Sequence, residues 1–321
     1  MNKIHEKSPC CGTAIYRFGQ RRRQCSKCRK TWRVWQKKRG RTKHRIQFEI
    51  LLRYFQGNLS GMSLDRHTRA ARLRNTLRAF NEKTPWYPVS NGPLIAVVDG
   101  LIEYFNGKKY TLYLILLRSV SGQQAVVLPP YLKVGTESGC GWEEALLRLP
   151  VEVHRRILAL VCDGHTGLIE VAKNFGWIVQ RCHFHLLARI EHCMSFGPRG
   201  KNTKLAIKLR KLAQSVLYRN DRETLYALNQ LVVIKPTISS PAFRTVISGL
   251  LKHYRDYRRY LEFPSYYLPT TSNSAEHLVG LIRDLQYRAR GFRTPTSFVA
   301  WATGFCKYQK TVTCRPKNQP N

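Results

Sequence analysis

Arg156–Ile190 reads RILALVCDGHTGLIEVAKNFGWIVQRCHFHLLARI. Its first apolar run, Ile157 to Cys162, stops at Asp163-Gly164. Leu168, Ile169, Val171, Ala172 and Phe175 then recur at helical spacing, Gly176 breaks the pattern, and Trp177 to Val179 forms a second short run. Strand, turn, amphipathic helix and strand make a βαβ unit, whose strands are parallel and buried on both faces. Asp163 therefore falls at the carboxyl end of an inner strand, where open α/β sheets gather their chemistry. The second strand runs into Gln180-Arg181-Cys182-His183-Phe184-His185, a run dense in ligand-type side chains.

Upstream, Leu94 to Val98 is continuously apolar, and the pattern resumes from Leu101 to Phe105. Asn106-Gly107 is a two-residue hairpin signal. It predicts a return strand over Tyr110 to Leu117 and a third over Gln123 to Leu128, after the Ser121-Gly122 turn. Asp99 sits inside the first strand, where an ionised carboxylate is costly unless a cation or hydrogen bonds meet it. An isolated Asp-Gly pair is also an ordinary turn signal. Three antiparallel strands, a helix near Trp142 to Leu149 and the βαβ unit give the order of an RNase H-like mixed sheet, an α/β fold. In that order the first and fourth strands are parallel neighbours, about 4.8 Å apart. Asp99 and Asp163 then lie side by side, and two such charges call for a divalent cation.

The chain has 321 residues, with 55 Lys and Arg against 19 Asp and Glu, a formal charge of +36. So large an excess implies a polyanionic partner, and nucleic acid is the first expectation. No apolar run approaches the roughly 18 residues of a membrane span. The opening, MNKIHEKSPC, has no signal-peptide core, which points to a cytoplasmic, nucleoid-associated protein without a membrane partner. Ten cysteines in such a setting suggest metal binding before disulfides.

Residues 1–93 hold 23 basic and 4 acidic side chains. Cys10-Cys11-Gly12 and Cys25-Ser-Lys-Cys28 flank an arginine-rich segment, the pattern of a zinc ribbon over residues 1–42. Ser8 stands where the first ligand of the usual knuckle would be, which leaves the fourth ligand beside Cys11, Cys25 and Cys28 open: Cys10 or His5 could supply it, and the alternative is a basic arm with unligated cysteines. His44 to Phe55, Ser60 to Ala71 and Leu73 to Phe80 outline a three-helix helix-turn-helix module over residues 43–90. Its last helix carries Arg72, Arg74 and Arg78 toward DNA, unless the whole is a solvated basic linker. The Pro-rich segment from Thr84 to Pro93 marks the boundary with a core that begins at residue 91 and runs to 190. An all-helical insertion follows over 191–268, with 15 Lys and Arg between Arg189 and Tyr260. Residues 269–310 supply the final helices and 311–321 a frayed tail.

These residues resemble the DDE transposases of bacterial insertion sequences, in the branch similar to Mutator-like elements. The matching pieces are VVDG at Val97 to Gly100, CDGHTGL at Cys162 to Leu168, QRCHFH at Gln180 to His185, TSNSAE at Thr271 to Glu276 and RGFRTP at Arg290 to Pro295. The resemblance implies that Asp99, Asp163 and Glu276 hold two Mg2+ (or Mn2+) ions for 3′-end cleavage and strand transfer. The protein would act on element ends and target DNA as a homo-oligomer. It makes Cys182 and His185 the Cys-x-x-His pair of that branch, although they also suit a packed turn at a helix start. His165 either faces DNA or caps its own turn. Locally, Asn273 and Glu276 have capping-box spacing, which competes with a site role for Glu276. Arg288, Arg290 and Arg293 suit phosphate contacts. Two other readings keep the same fold: a transposase-derived DNA-binding protein with a silent pocket, and a metal nuclease without strand transfer.

Overall fold

The computed structural model describes residues 7–18, 22–33, 48–57, 66–195 and 203–315. The chain divides into two compact units, Met1–Gln47 and Phe48–Asn321. In the first, β1 (Ile15–Arg17), β2 (Arg22–Cys25) and β3 (Thr31–Arg33) form an antiparallel sheet in that order. So small a sheet buries little, and among the described residues of this unit the buried ones are Ser8 and Cys25.

The second unit is a mixed α/β domain. Its helices α1 (Phe48–Phe55) and α2 (Arg66–Lys83) precede β4 (Leu94–Phe105), β5 (Lys108–Ser119), β6 (Gln124–Val127) and β7 (Tyr131–Val134). Then come α3 (Gly139–Leu147), α4 (Val151–His154), β8 (Ile157–Cys162), α5 (Thr166–Asn174), β9 (Ile178–Arg181) and α6 (His183–Ser195). Three more helices, α7 (Thr203–Tyr218), α8 (Asp221–Ile234) and α9 (Pro241–Glu262), precede α10 (Asn273–Arg288), α11 (Pro295–Gln309) and β10 (Thr311–Thr313). The sheet has seven strands in the order β10-β6-β5-β4-β8-β9, with β7 also pairing with β5. The expected three antiparallel strands followed by two parallel ones are all present.

Side chains alternate across a strand, and β4 is continuously apolar from Leu94 to Val98, where both its faces are covered. Ile95, Val97 and Leu101 enter a core shared with α1, α2, α10 and α11. Leu94, Ala96 and Val98 enter a second core, built with α3 and α5. β8 divides likewise, with Ala159 and Val161 on the α10 side and Leu160 and Cys162 on the other. Helices α6, α7, α8 and α9 share a third core, including Ile190, Leu209, Val216, Leu231 and Ile247. One basic residue of this helical segment is internal. Arg258 is buried and donates to the carbonyls of Val216 and Arg219 and to Asp221.

Several expectations need correction. Arg66–Lys83 is one helix, so the break expected near Arg72 is absent; no Gly or Pro interrupts it. The helix starts expected at His44 and Ser60 lie outside the described residues, as do His5 and the tail from 316 onward. α1 and α2 are built into the second unit, against α11. Tyr54 and Phe55 pack on Trp301, and Asn81 donates to the Ala300 carbonyl. A module boundary at residue 90 thus cuts through a shared core. Residues 311–315 are not frayed: β10 pairs with β6, and Cys314 is buried.

Candidate active site and metal centre

Strand register brings the two aspartates together. β4 and β8 pair in parallel with Val97 opposite Val161, so Asp99 and Asp163 stand opposite each other two residues further on. By alternation both belong to the face where α10 packs. Gly100 N–H donates to Asp99 Oδ1 at 2.8 Å, and His165 N–H donates to Asp163 Oδ1 at 3.0 Å. Burial, then the charges of Asp163 and Glu276, push the Asp99 carboxyl up to about 7, against the opposing pull of the Gly100 hydrogen bond. His165 is the N-cap of α5, its Nδ1 accepting from Leu168 N–H. The side chain thus caps its own turn.

Glu276 lies on the first turn of α10, and the cap there is Ser272, not Asn273. No side-chain capping bond forms, so the capping-box role competing for Glu276 is absent. Its Oε1 accepts from Ser272 Oγ at 2.8 Å and lies 3.3 Å from His185 Nδ1 and 4.0 Å from Cys182 Sγ. The segment leading into α10 is pinned at three points. The buried Arg118 guanidinium donates to the Tyr267 carbonyl, His183 N–H to the Thr270 carbonyl, and Ser272 N–H to Cys182 Sγ. A hydrogen bond with Cys182, then the negative charges around it, hold the His185 imidazole up at about 9.

Two neighbours escaped the sequence reading. Glu137 stands beside Asp163, held by Trp142 Nε1 at 2.7 Å, and burial with the charge of Asp163 raises its carboxyl. It reaches this position because α3 and α5 meet through glycines: a Cβ on Gly167 would stand 2.7 Å from the Gly139 nitrogen. No local motif marks Glu137; only the contact between two helix starts reveals it. Arg181 is buried against Asp256 at 3.4 Å, and its Nη1 lies along Gly164, whose positive φ of 105° turns the chain after Asp163.

In the first unit Cys10, Cys11, Cys25 and Cys28 converge, their sulfurs all within 4.8 Å of one another, a cluster that could bind zinc. Cys10 thus stands where the missing fourth ligand was sought. Backbone N–H of Cys28, then Ser8 and Thr13, lower the Cys25 thiol to about 5. Hydrogen bonding to Cys28 raises Cys10, and raises Cys11 to about 12.

The basic residues divide. Arg74, Arg290 and Arg293 are exposed, and Arg78 is exposed but paired with Glu82 at 3.0 Å. Arg72 is half-buried. Arg288 is half-buried: it donates to the Phe55 carbonyl and lies along Gly57, holding the end of α1. With Arg283, Tyr287 and Arg290 it also lines an open cleft of about 720 Å³. No helix among the described residues is long and apolar enough to cross a membrane.

No protein-family model matches the chain, and no curated protein matches it. Among solved structures, the Drosophila P element transposase strand transfer complex is similar over 85% of this chain and 94% of that chain, with 13% identity and a TM-score of 0.42. At that depth the likeness carries no functional weight.

Proposed function

We propose that this chain is a DDE-type DNA transposase with an RNase H-like catalytic domain, in the Mutator-like branch of bacterial insertion-sequence enzymes. The observation that carries the reading is the register of Asp99 with Asp163 across β4 and β8, on the face covered by α10 and coupled electrostatically to Glu276. The Asp99 carboxyl, raised to about 7 by burial and then by the charges of Asp163 and Glu276, belongs to a group of oxygen donors short of positive charge, which suits Mg2+ or Mn2+. Asp99, Asp163 and Glu276 would hold two such ions. When bound, these would lower the pKa of an attacking water or 3′-hydroxyl and stabilise the leaving oxygen.

The chain's own groups do the positioning. Backbone N–H of Gly100 and His165 orient the two aspartates, and Ser272 orients Glu276. Arg74, Arg290 and Arg293 offer cations to phosphates. The cysteine cluster would close a zinc ribbon which, with the helices over residues 48–83, binds element ends. A homo-oligomer would bring two ends to one target.

One observation favours the second reading, a DNA-binding protein with a silent pocket: Glu276 Oε1 is already engaged by Ser272 and His185. Asp163→Asn separates the two. It removes a charge at nearly constant shape, and Asn serves a turn as well as Asp does. DNA binding and folding should persist while Mg2+-dependent 3′-end cleavage and strand transfer fall at least a hundredfold. Robust wild-type activity with an equally active Asn variant removes Asp163 from the site. A wild type that binds element ends without cutting them supports the silent pocket.

A further inference from the structure

Three donors of different chemistry meet beside the aspartate pair. Cys182 ends the β9 segment, His185 lies on the first turn of α6, and Glu276 on the first turn of α10. A sulfur, a ring nitrogen and a carboxylate oxygen from these three residues all lie within 4.8 Å of one another. The sequence offers two of them at Cys-x-x-His spacing; only the fold adds the third. Cys182 is fully buried, and a packed turn accounts for it through the hydrogen bond from Ser272 N–H. It does not account for His185. Its Nδ1 is buried at ion-pair distance from Glu276 Oε1, 3.3 Å away, without the geometry of a hydrogen bond to it. An imidazole, a carboxylate and a thiol converging on one point is an arrangement that a cation between them would satisfy.

We propose that Cys182, His185 and Glu276 form a binding site for a thiophilic transition-metal ion of the Zn2+ class, and that filling it withdraws Glu276 from Asp99 and Asp163. One S, one N and one O ligand with an open fourth position match the ligand set of zinc sites, and the thiolate and imidazole discriminate against Mg2+. The second half of the proposal rests on Glu276 being the third carboxylate of the proposed transposase; the first half stands without it. Because Glu276 would be shared between a soft site and a hard one, the two occupancies exclude each other, and zinc becomes an inhibitor of Mg2+-dependent chemistry.

The test uses the full chain and Zn2+ alone, titrated against a competing chelator. Wild type should bind two equivalents per chain, one in the four-cysteine cluster and one here. Cys182→Ser and His185→Ala should each bind one. His185 is partly exposed, so its truncation keeps the question answerable if the buried cysteine variant misfolds. A wild type that binds a single equivalent, or a folded His185→Ala that still binds two, overturns the site. In the cleavage assay, Zn2+ should inhibit the Mg2+-supported wild-type reaction, and the His185→Ala reaction at least tenfold less, each relative to its own uninhibited rate. Equal inhibition of both overturns the exclusion. If no form cleaves DNA, the transposase reading fails while the zinc count still decides the site.

Discussion

Asp99 is costly to the metal-free fold. Its carboxyl titrates near 7 in the folded chain, against an ordinary value of 3.8. The folded state therefore holds this proton more tightly than the unfolded state does. Stability from this group is complete below pH 4 and is lost as pH rises toward and through 7. Asp99→Asn removes the ionisation and should stabilise the metal-free protein at pH 8, by up to about 4 kcal/mol for a three-unit shift, and much less at pH 4. Urea unfolding of both forms in chelator at the two pH values measures the difference. A gap that does not widen with pH would mean that Asp99 is not desolvated beside other carboxylates. At this scale the sequence was informative wherever strand parity decides. An aspartate in a doubly buried strand and another at the end of its parallel neighbour can be read from apolar periodicity. Glu137 could not be read, because its placement depends on two glycines touching across separate helices. Nor could the partners of Glu276, which come from a strand end and a helix more than ninety positions upstream.

At the scale of elements, long and strongly patterned segments were readable, while two short ones were not. The βαβ unit and the Asn106-Gly107 hairpin appear as expected, while β7 and β10 were missed. Each of those is three or four residues long, too short for a period, and is fixed by its pairing partner. Arg118 shows how an element controls the site from outside it. It ends the apolar run of β5 on the α10 side, is fully buried, and donates to the carbonyls of Gly122, Tyr266 and Tyr267. Tyr267 has a positive φ of 46°, so the chain entering α10 turns sharply where Arg118 holds it. Arg118→Met fills similar space but leaves those carbonyls unmet. It should lower stability by about 1.5–3 kcal/mol, the range for losing hydrogen bonds made by a charged group. Arg118→Lys should recover part of this loss. Thermal unfolding of the three forms ranks them; a Met variant as stable as wild type would assign the turn's geometry to Thr270 and Ser272 alone.

At the scale of the whole molecule, charge is the dominant fact. Residues 1–47 carry 16 basic and 1 acidic side chains, a net +15 of the chain's +36. Within the described part of that unit Arg17, Arg22, Lys27, Arg29, Lys30 and Arg33 are exposed. No carboxylate occurs between Lys7 and Arg33 to neutralise them. Tyr16 and Phe18 are exposed among these cations, as suits a surface that meets nucleic acid. Each phosphate neutralised releases condensed counterions, so the logarithm of the binding constant falls by about 0.9 per contact for each tenfold rise in salt. If even half of the six exposed cations reach phosphates, the full chain should lose affinity for duplex DNA more steeply than residues 48–321, by about three in that slope. The measurement is anisotropy binding of both forms to one duplex across a salt series. A chelator arm separates folding from charge. If the cysteine cluster holds the small sheet together through zinc, removing the metal should reduce discrimination between element ends and random DNA while leaving much of the slope, because unfolded basic chain still attracts phosphates. Equal slopes for the two forms would place the phosphate contacts in the second unit, on surfaces such as the one carrying Arg283, Arg290 and Arg293.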